Sequence, residues 1–199
     1  PNSGQIRCLA ADPGHYVDSN ASLTQTMCDF GTYQPYSSSS SCFDADPGHY
    51  VDSTGSSSQI ACLIGTYNPD IASNSSTSCL AADQGHYVPN NGSSVQLVCM
   101  PGTYQPNLAQ SSCIDADSGY YVDSYQAISQ EPCSLGTYQP QAAQIGCYGA
   151  DPGFYVDLSA AAMQTPCPAG SYNPFSLSTN PESCINADFG YYVPSEGLP

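Results

Sequence analysis

One pattern recurs six times along this chain: a cysteine, a short variable stretch, then Ala-Asp-x-Gly-aromatic-Tyr-Val, as in Cys42-Phe43-Asp44-Ala45-Asp46-Pro47-Gly48-His49-Tyr50-Val51. The copies begin at Cys8, Cys42, Cys79, Cys113, Cys147 and Cys184. Between them runs a shorter relative, Cys-x-x-Gly-Thr/Ser-Tyr-x-Pro, beginning at Cys28, Cys62, Cys99, Cys133 and Cys167. A fixed period of this kind makes each copy one supersecondary unit that leans on its neighbours, so the chain reads as an array.

The cysteine spacings give units of 34, 37, 34, 34 and 37 residues. The expected divisions are 1–7 as the end of a preceding unit, then 8–41, 42–78, 79–112, 113–146 and 147–183 as complete units, with 184–199 as an incomplete sixth. A larger period of 105 residues lies over these: Tyr-Asn-Pro marks the longer units at Tyr67 and Tyr172, and Val-Pro replaces Val-Asp only at Val88 and Val193. In this register Pro1–Arg7 matches Pro106–Ser112 and Pro199 matches Ser94, so eleven residues would join the end to another copy of the start. The expectation is a segment of a longer array, or a subunit completed by its neighbour, with any secretory leader already removed.

A 34-residue unit is too small to stabilise itself by burial, because below roughly 40 residues a fold usually needs disulfides, metals or neighbours. Eleven evenly spaced cysteines supply the first and place the chain in an oxidising, extracellular compartment. No Cys/His cluster has the spacing of a zinc site. Arg7 is the one basic side chain against a formal net charge of -16, which excludes a nucleic-acid partner and disfavours anionic membrane surfaces. No apolar run approaches the roughly 20 residues of a membrane span. Charged residues make up 9% of the chain, against about 25% in ordinary soluble domains, so something other than charge keeps the surface wet.

Asp-Pro-Gly, at Asp12, Asp46 and Asp151, is turn chemistry: Asp accepts from the backbone, Pro presets φ and Gly takes a positive φ. A short strand is expected at each His-Tyr-Val, and a three-residue strand ended by proline at each Gly-Thr-Tyr-Gln-Pro. Ala160–Gln164 carries the only hint of a helix, too short to stand alone. The fold class is therefore small, disulfide-rich, mostly β and irregular: a linear array of short hairpins and loops forming an elongated rod.

Serine-rich stretches, Ser37–Ser41, Ser56–Ser58 and Ser73–Ser78, lie in the intervals before cysteines, and Asn20, Asn74 and Asn91 open Asn-x-Ser sequons. With so few charges a covalent glycan coat is the expected solubiliser, on Asn20, Asn74, Asn91, Ser38, Ser40, Ser57 and Ser76; a bare serine-rich loop is the alternative. His15, His49 and His86 share one slot with Tyr120, Phe154 and Tyr191, so that slot asks for a flat ring rather than a base or ligand. The repeating carboxylates Asp12, Asp18, Asp46 and Asp52 admit two readings, turn capping and calcium binding. The tyrosines of Gly-x-Tyr, one per cysteine, read as the apolar content of each unit, packed on disulfides and the next unit, with a sugar-binding aromatic ladder as the rival. No nucleophile has a base and no phosphate loop is present, so an enzyme is not expected and no cofactor is implied. Two nearest-neighbour disulfide pairings stay open, because closing loops of 14 or 20 residues differs by only about 0.3 kcal/mol.

Cys28-Asp29-Phe30-Gly31-Thr32-Tyr33 to Cys42, and its equivalents in every unit, resembles the cysteine-rich modules of ephrin-receptor-like and tumour-necrosis-factor-receptor ectodomains. The resemblance implies that the cysteine before Gly-x-Tyr pairs with the next one: Cys28–Cys42, Cys62–Cys79, Cys99–Cys113, Cys133–Cys147 and Cys167–Cys184, leaving Cys8 to a partner outside the segment. The rival set joins Cys8–Cys28 and its equivalents. Those families carry more than one disulfide per module, so receptor function does not carry over with the motif. The full unit is similar to very long secreted microbial repeat proteins and to the subunits of glycan-coated extracellular fibrils, a likeness at the level of fold. These expectations meet in a structural protein of an extracellular filament or surface fibre, its partners being further copies of itself head to tail and covalent glycans. The alternative is a cell-surface adhesin or receptor ectodomain that uses the repeat rod to present a binding site, with calcium dependence as one form of it.

Overall fold

The structure, a computed structural model, describes residues 8–199; the expected end of a preceding unit, residues 1–7, lies outside the described residues. The chain divides into two compact units. One comprises the described part of Pro1–Asp83 with Val88–Leu97 and Ala109–Ser111, and the other Gln84–Tyr87, Val98–Leu108 and Ser112–Pro199. Both are built from the same element, a hairpin of two two-residue strands.

The first strands are His15–Tyr16, Thr32–Tyr33, His49–Tyr50, Thr66–Tyr67, His86–Tyr87, Thr103–Tyr104, Tyr120–Tyr121, Thr137–Tyr138, Phe154–Tyr155 and Ser171–Tyr172. Successive hairpins thus start seventeen residues apart, or twenty where a three-residue extension intervenes. Each 34-residue unit holds two copies of one hairpin: the long and short sequence patterns fold alike. The extensions form short 3₁₀ turns at Ser76–Ser78 and Pro181–Ser183. No helix forms at Ala160–Gln164, where Ala160 has φ +59° and Thr165 already begins a strand. A left-handed residue cannot continue a helix.

Within a hairpin the turn is closed by backbone bonds: His49 N–H donates to Asp46 O at 3.0 Å, and Cys62 N–H to Gly48 O at 2.8 Å. The register pairs His49 with Ala61 and Tyr50 with Ile60. The third strand residue expected from the sequence leaves this ladder, because its backbone is engaged by the next hairpin instead. Gln34 N–H donates to Ser56 O at 3.0 Å, and Val51 N–H to Ser73 O at 2.9 Å.

Three such bonds join each hairpin to its successor. From the Gly31 hairpin to the Gly48 hairpin they are Gly31 N–H to Val51 O at 2.8 Å, Gln34 N–H to Ser56 O at 3.0 Å, and, returning, Gly55 N–H to Cys28 O at 2.8 Å. In the other unit the set is Gly119 N–H to Gln139 O at 2.7 Å, Val122 N–H to Gln144 O at 2.9 Å, and Ala143 N–H to Ala116 O at 2.8 Å. At about 1 kcal/mol net for each bond, a step of the ladder is held largely by backbone.

Backbones can meet this closely only if the side chains between them are small. The buried column three residues before each turn glycine alternates Ala45, Ala82, Ala116 and Ala150 with Cys28, Cys62, Cys99, Cys133 and Cys167. The column three residues after it alternates Val51, Val88, Val122 and Val156 with Gln34, Asn68, Gln105, Gln139 and Asn173. Large apolar residues such as Leu63, Ile71, Leu158 and Met163 stay on the surface.

Candidate functional site: the repeating hairpin and its surface

Disulfides join Cys28–Cys42, Cys62–Cys79, Cys99–Cys113, Cys133–Cys147 and Cys167–Cys184. This is the set implied by the receptor-module resemblance, and no loop of twenty residues is closed. Every bond lies inside one hairpin, so only alternate hairpins carry one. Cys8 is exposed and has no disulfide partner within the chain.

The hairpins without a disulfide carry a polar clip at the same place. Counted from the turn glycine, Gln25, Gln59, Gln96, Gln130 and Gln164 occupy the position of the second cysteine. In each, the amide oxygen accepts the N–H of the turn aspartate and the amide nitrogen donates to that aspartate's Oδ2. For Asp46 and Gln59 the two distances are 2.7 and 2.6 Å, and for Asp151 and Gln164 both are 2.8 Å. The turn aspartate is therefore clipped through its carboxylate from across the hairpin, where the sequence suggested a local cap. Its backbone carbonyl closes the turn instead, as in His15 N–H to Asp12 O at 3.0 Å.

That clip bears on the calcium reading. Asp12 and Asp46 each commit Oδ2 to a glutamine, while Asp18 and Asp52 are exposed. Among the described residues no three His, Cys, Asp or Glu side chains gather into a metal-binding group.

The buried amides are fully engaged. Gln139 donates to Gly146 O at 2.7 Å and accepts from Gln141 N–H at 3.2 Å. Asn68 donates to His49 O and to Ser73 Oγ, both at 2.9 Å, and accepts from Asp70 N–H at 3.1 Å. The longer hairpins therefore use the shorter amide, Asn, whose nitrogen meets a serine hydroxyl instead of the carbonyl that Gln reaches. This is the physical content of the Tyr-Asn-Pro marker. Among the described residues no buried side-chain polar atom lacks a partner.

His15, His49 and His86 sit half-buried, each with Nδ1 at 3.0–3.2 Å from the carbonyl two residues earlier. The His49 ring lies under Gly92, and the Phe154 ring under Gly197 in the same relation. Where the backbone of a later hairpin lies over the slot it takes a flat ring; Tyr191, in the last copy, is 79% exposed. The Gly-x-Tyr tyrosines of the paired hairpins are half-buried and stand across from the second strand, whereas Tyr192 is 84% exposed. Tyr33 stands against Phe43 with ring centroids 6.0 Å apart, and Tyr138 against Tyr148 at 6.1 Å. Burial first, then the charges of Asp46 and Asp151 respectively, and last those of neighbouring tyrosines, raise the phenols of Tyr33 and Tyr138 above the usual tyrosine range.

Asn20, Asn74, Asn91, Ser38, Ser40, Ser57 and Ser76 are all exposed. Asn91 also accepts Ile64 N–H through Oδ1 at 2.8 Å, a bond that does not engage its amide nitrogen, the atom a glycan would take. Two shallow concavities are open to solvent. One lies beside Leu158, Ala161 and Met163, the other beside Cys8, Leu9, Leu23 and Ser39. No helix among the described residues is long and apolar enough to cross a membrane.

The seventeen-residue repeat, the glutamine clip and the backbone ladder were missed by sequence reasoning. Superposing the two patterns on their glycines would have exposed the first two, since Ala and Gln stand where the other pattern has Cys and Cys. No known protein family matches the chain, and a search of curated proteins finds no match either.

Proposed function

We propose that this chain is a structural component of an extracellular filament or surface fibre. The observation that carries the reading is the sameness of the joints: each hairpin meets the next through the same three backbone bonds. A surface built by repetition serves length better than it serves a single ligand. Five disulfides are the chemistry of an oxidising compartment outside the cytosol. The partners of the chain are further copies of itself, added head to tail along the same ladder.

The surface supports a coat. Leu63, Ile71, Leu158 and Met163 are each 62–75% exposed on a protein whose charged residues make up 9% of the chain, far below the roughly 25–35% of a well-dispersed surface. Glycans on the exposed Asn and Ser positions supply that cover. Electron microscopy of native material together with intact-mass measurement tests the reading. Filaments whose subunits exceed the mass of their own polypeptide, as measured after deglycosylation, are the expected result. Isolated monomers whose mass deglycosylation leaves unchanged would overturn both parts and leave an adhesin or receptor ectodomain as the better account.

A further inference from the structure

In the hairpin closed by Cys133 and Cys147, Tyr138 and Tyr148 stand directly opposite each other across the two strands. Their ring centroids are 6.1 Å apart and the ring planes meet at 50°. Tyr148 is 54% exposed, whereas Tyr138 is half-buried, so one phenol faces solvent and holds the other beside it. The tyrosine column runs through every hairpin, but the residue across from it varies. It is Thr26, Ile60, Glu131 or Ile185 in the hairpins of Tyr16, Tyr50, Tyr121 and Tyr172. At Tyr33 it is Phe43, with nearly the same ring geometry, 6.0 Å and 46°, but no second phenol. Among the pairs so compared, one hairpin alone brings two oxidisable rings together.

We propose that Tyr138 and Tyr148 form a dityrosine site, acted on by a one-electron oxidant of the haem-peroxidase class with hydrogen peroxide. Each phenol gives up one electron and one proton to become a tyrosyl radical. The ring carbons next to the two oxygens then join in a carbon–carbon bond, and the hydrogens on those carbons pass to the oxygens and restore both phenols. The two electrons and two protons reduce one peroxide to two waters. A second tyrosine fixed in place competes with any tyrosine on another molecule through its effective concentration, which for well-oriented groups reaches about 10⁵ M or more. The product closes the same hairpin as Cys133–Cys147 with a bond that thiol reductants do not break.

The test treats the dilute, purified full chain with a haem peroxidase and hydrogen peroxide. The expected result is a monomer lighter by two hydrogens and carrying dityrosine fluorescence. After reduction and digestion, one cross-linked peptide pair should contain residues 138 and 148. Because the Tyr33 hairpin already accommodates phenylalanine at the facing position, Tyr148→Phe should keep the fold by circular dichroism and lose the monomer signal. Conversely, Phe43→Tyr should gain a second cross-link, to Tyr33, and double the fluorescence. A signal that survives Tyr148→Phe, or that resides in dimers joined through exposed tyrosines such as Tyr36 and Tyr125, would overturn the proposal. Failure of Phe43→Tyr to gain a cross-link would equally show that this cross-strand geometry does not direct coupling.

Discussion

At Gly48 there is room for a hydrogen and nothing more. Its φ is +84°, and a Cβ placed there would run into the carbonyl of Gly92, two hairpins further along the chain. The same carbonyl-over-glycine contact recurs from Gly119 to Ala160, so the turn glycine is needed twice over, for its conformation and for its emptiness. Gly48→Ala should lower unfolding stability by about 1–3 kcal/mol for the left-handed conformation alone, with a further loss because the obstacle is backbone. Gly146→Ala is the control: nothing lies within 4 Å of its Cβ position, and it should melt like the parent. The first requirement was legible in Asp-Pro-Gly, since turn residues announce their dihedrals. The second was not, because the carbonyl that fills the space comes from more than forty residues away and carries no sequence mark.

Two elements of different chemistry serve as one. A disulfide closes Cys28–Cys42 and a glutamine clip closes Asp46–Gln59, each at the mouth of its own hairpin and in equivalent places. The equivalence makes a strong demand: Ala45→Cys with Gln59→Cys should form a sixth disulfide without disturbing its neighbours. Ala45 is fully buried in the column that Cys28 and Cys62 share, so the new thiol enters a place already shaped for sulfur. Closing a loop of this length stabilises by about 3 kcal/mol in the chain-entropy treatment. Non-reduced peptide mapping that joins residues 45 and 59, with a raised melting temperature, is the expected outcome; a reactive free thiol at either position would refute the equivalence. Disulfide-rich β structure was legible in the sequence because cysteine, glycine and proline have strong positional meaning. The clip stayed hidden because glutamine has none, and because an alanine standing for a cysteine looks like ordinary variation until the hairpins are superposed.

For the molecule as a whole, stability is a sum of hairpins and of joints between consecutive hairpins, as in other repeat proteins. Removing residues 113–146 should then be tolerated. Cys99 would find Cys147, and Val156 and Ala161 would offer Gly102 and Gln105 the carbonyls that Val122 and Ala127 offer now. The shortened chain is expected to fold with one disulfide fewer and with Cys8 still its only free thiol, measured by thiol titration and circular dichroism. Removal of one residue more or less should break the register and expose further thiols. The alternation of disulfide and clip also decides how the chain answers a pull. Under tension a clipped hairpin can give up its whole length, because hydrogen bonds let go. A stapled hairpin cannot: the path from Cys28 to Cys42 stays at 5.8 Å between Cα atoms, where the free segment would stretch to about 50 Å. Half of the hairpins are thus reserves of slack and half are fixed links, so the protein lengthens by set steps and then stops, as a chain of links does and a simple thread does not.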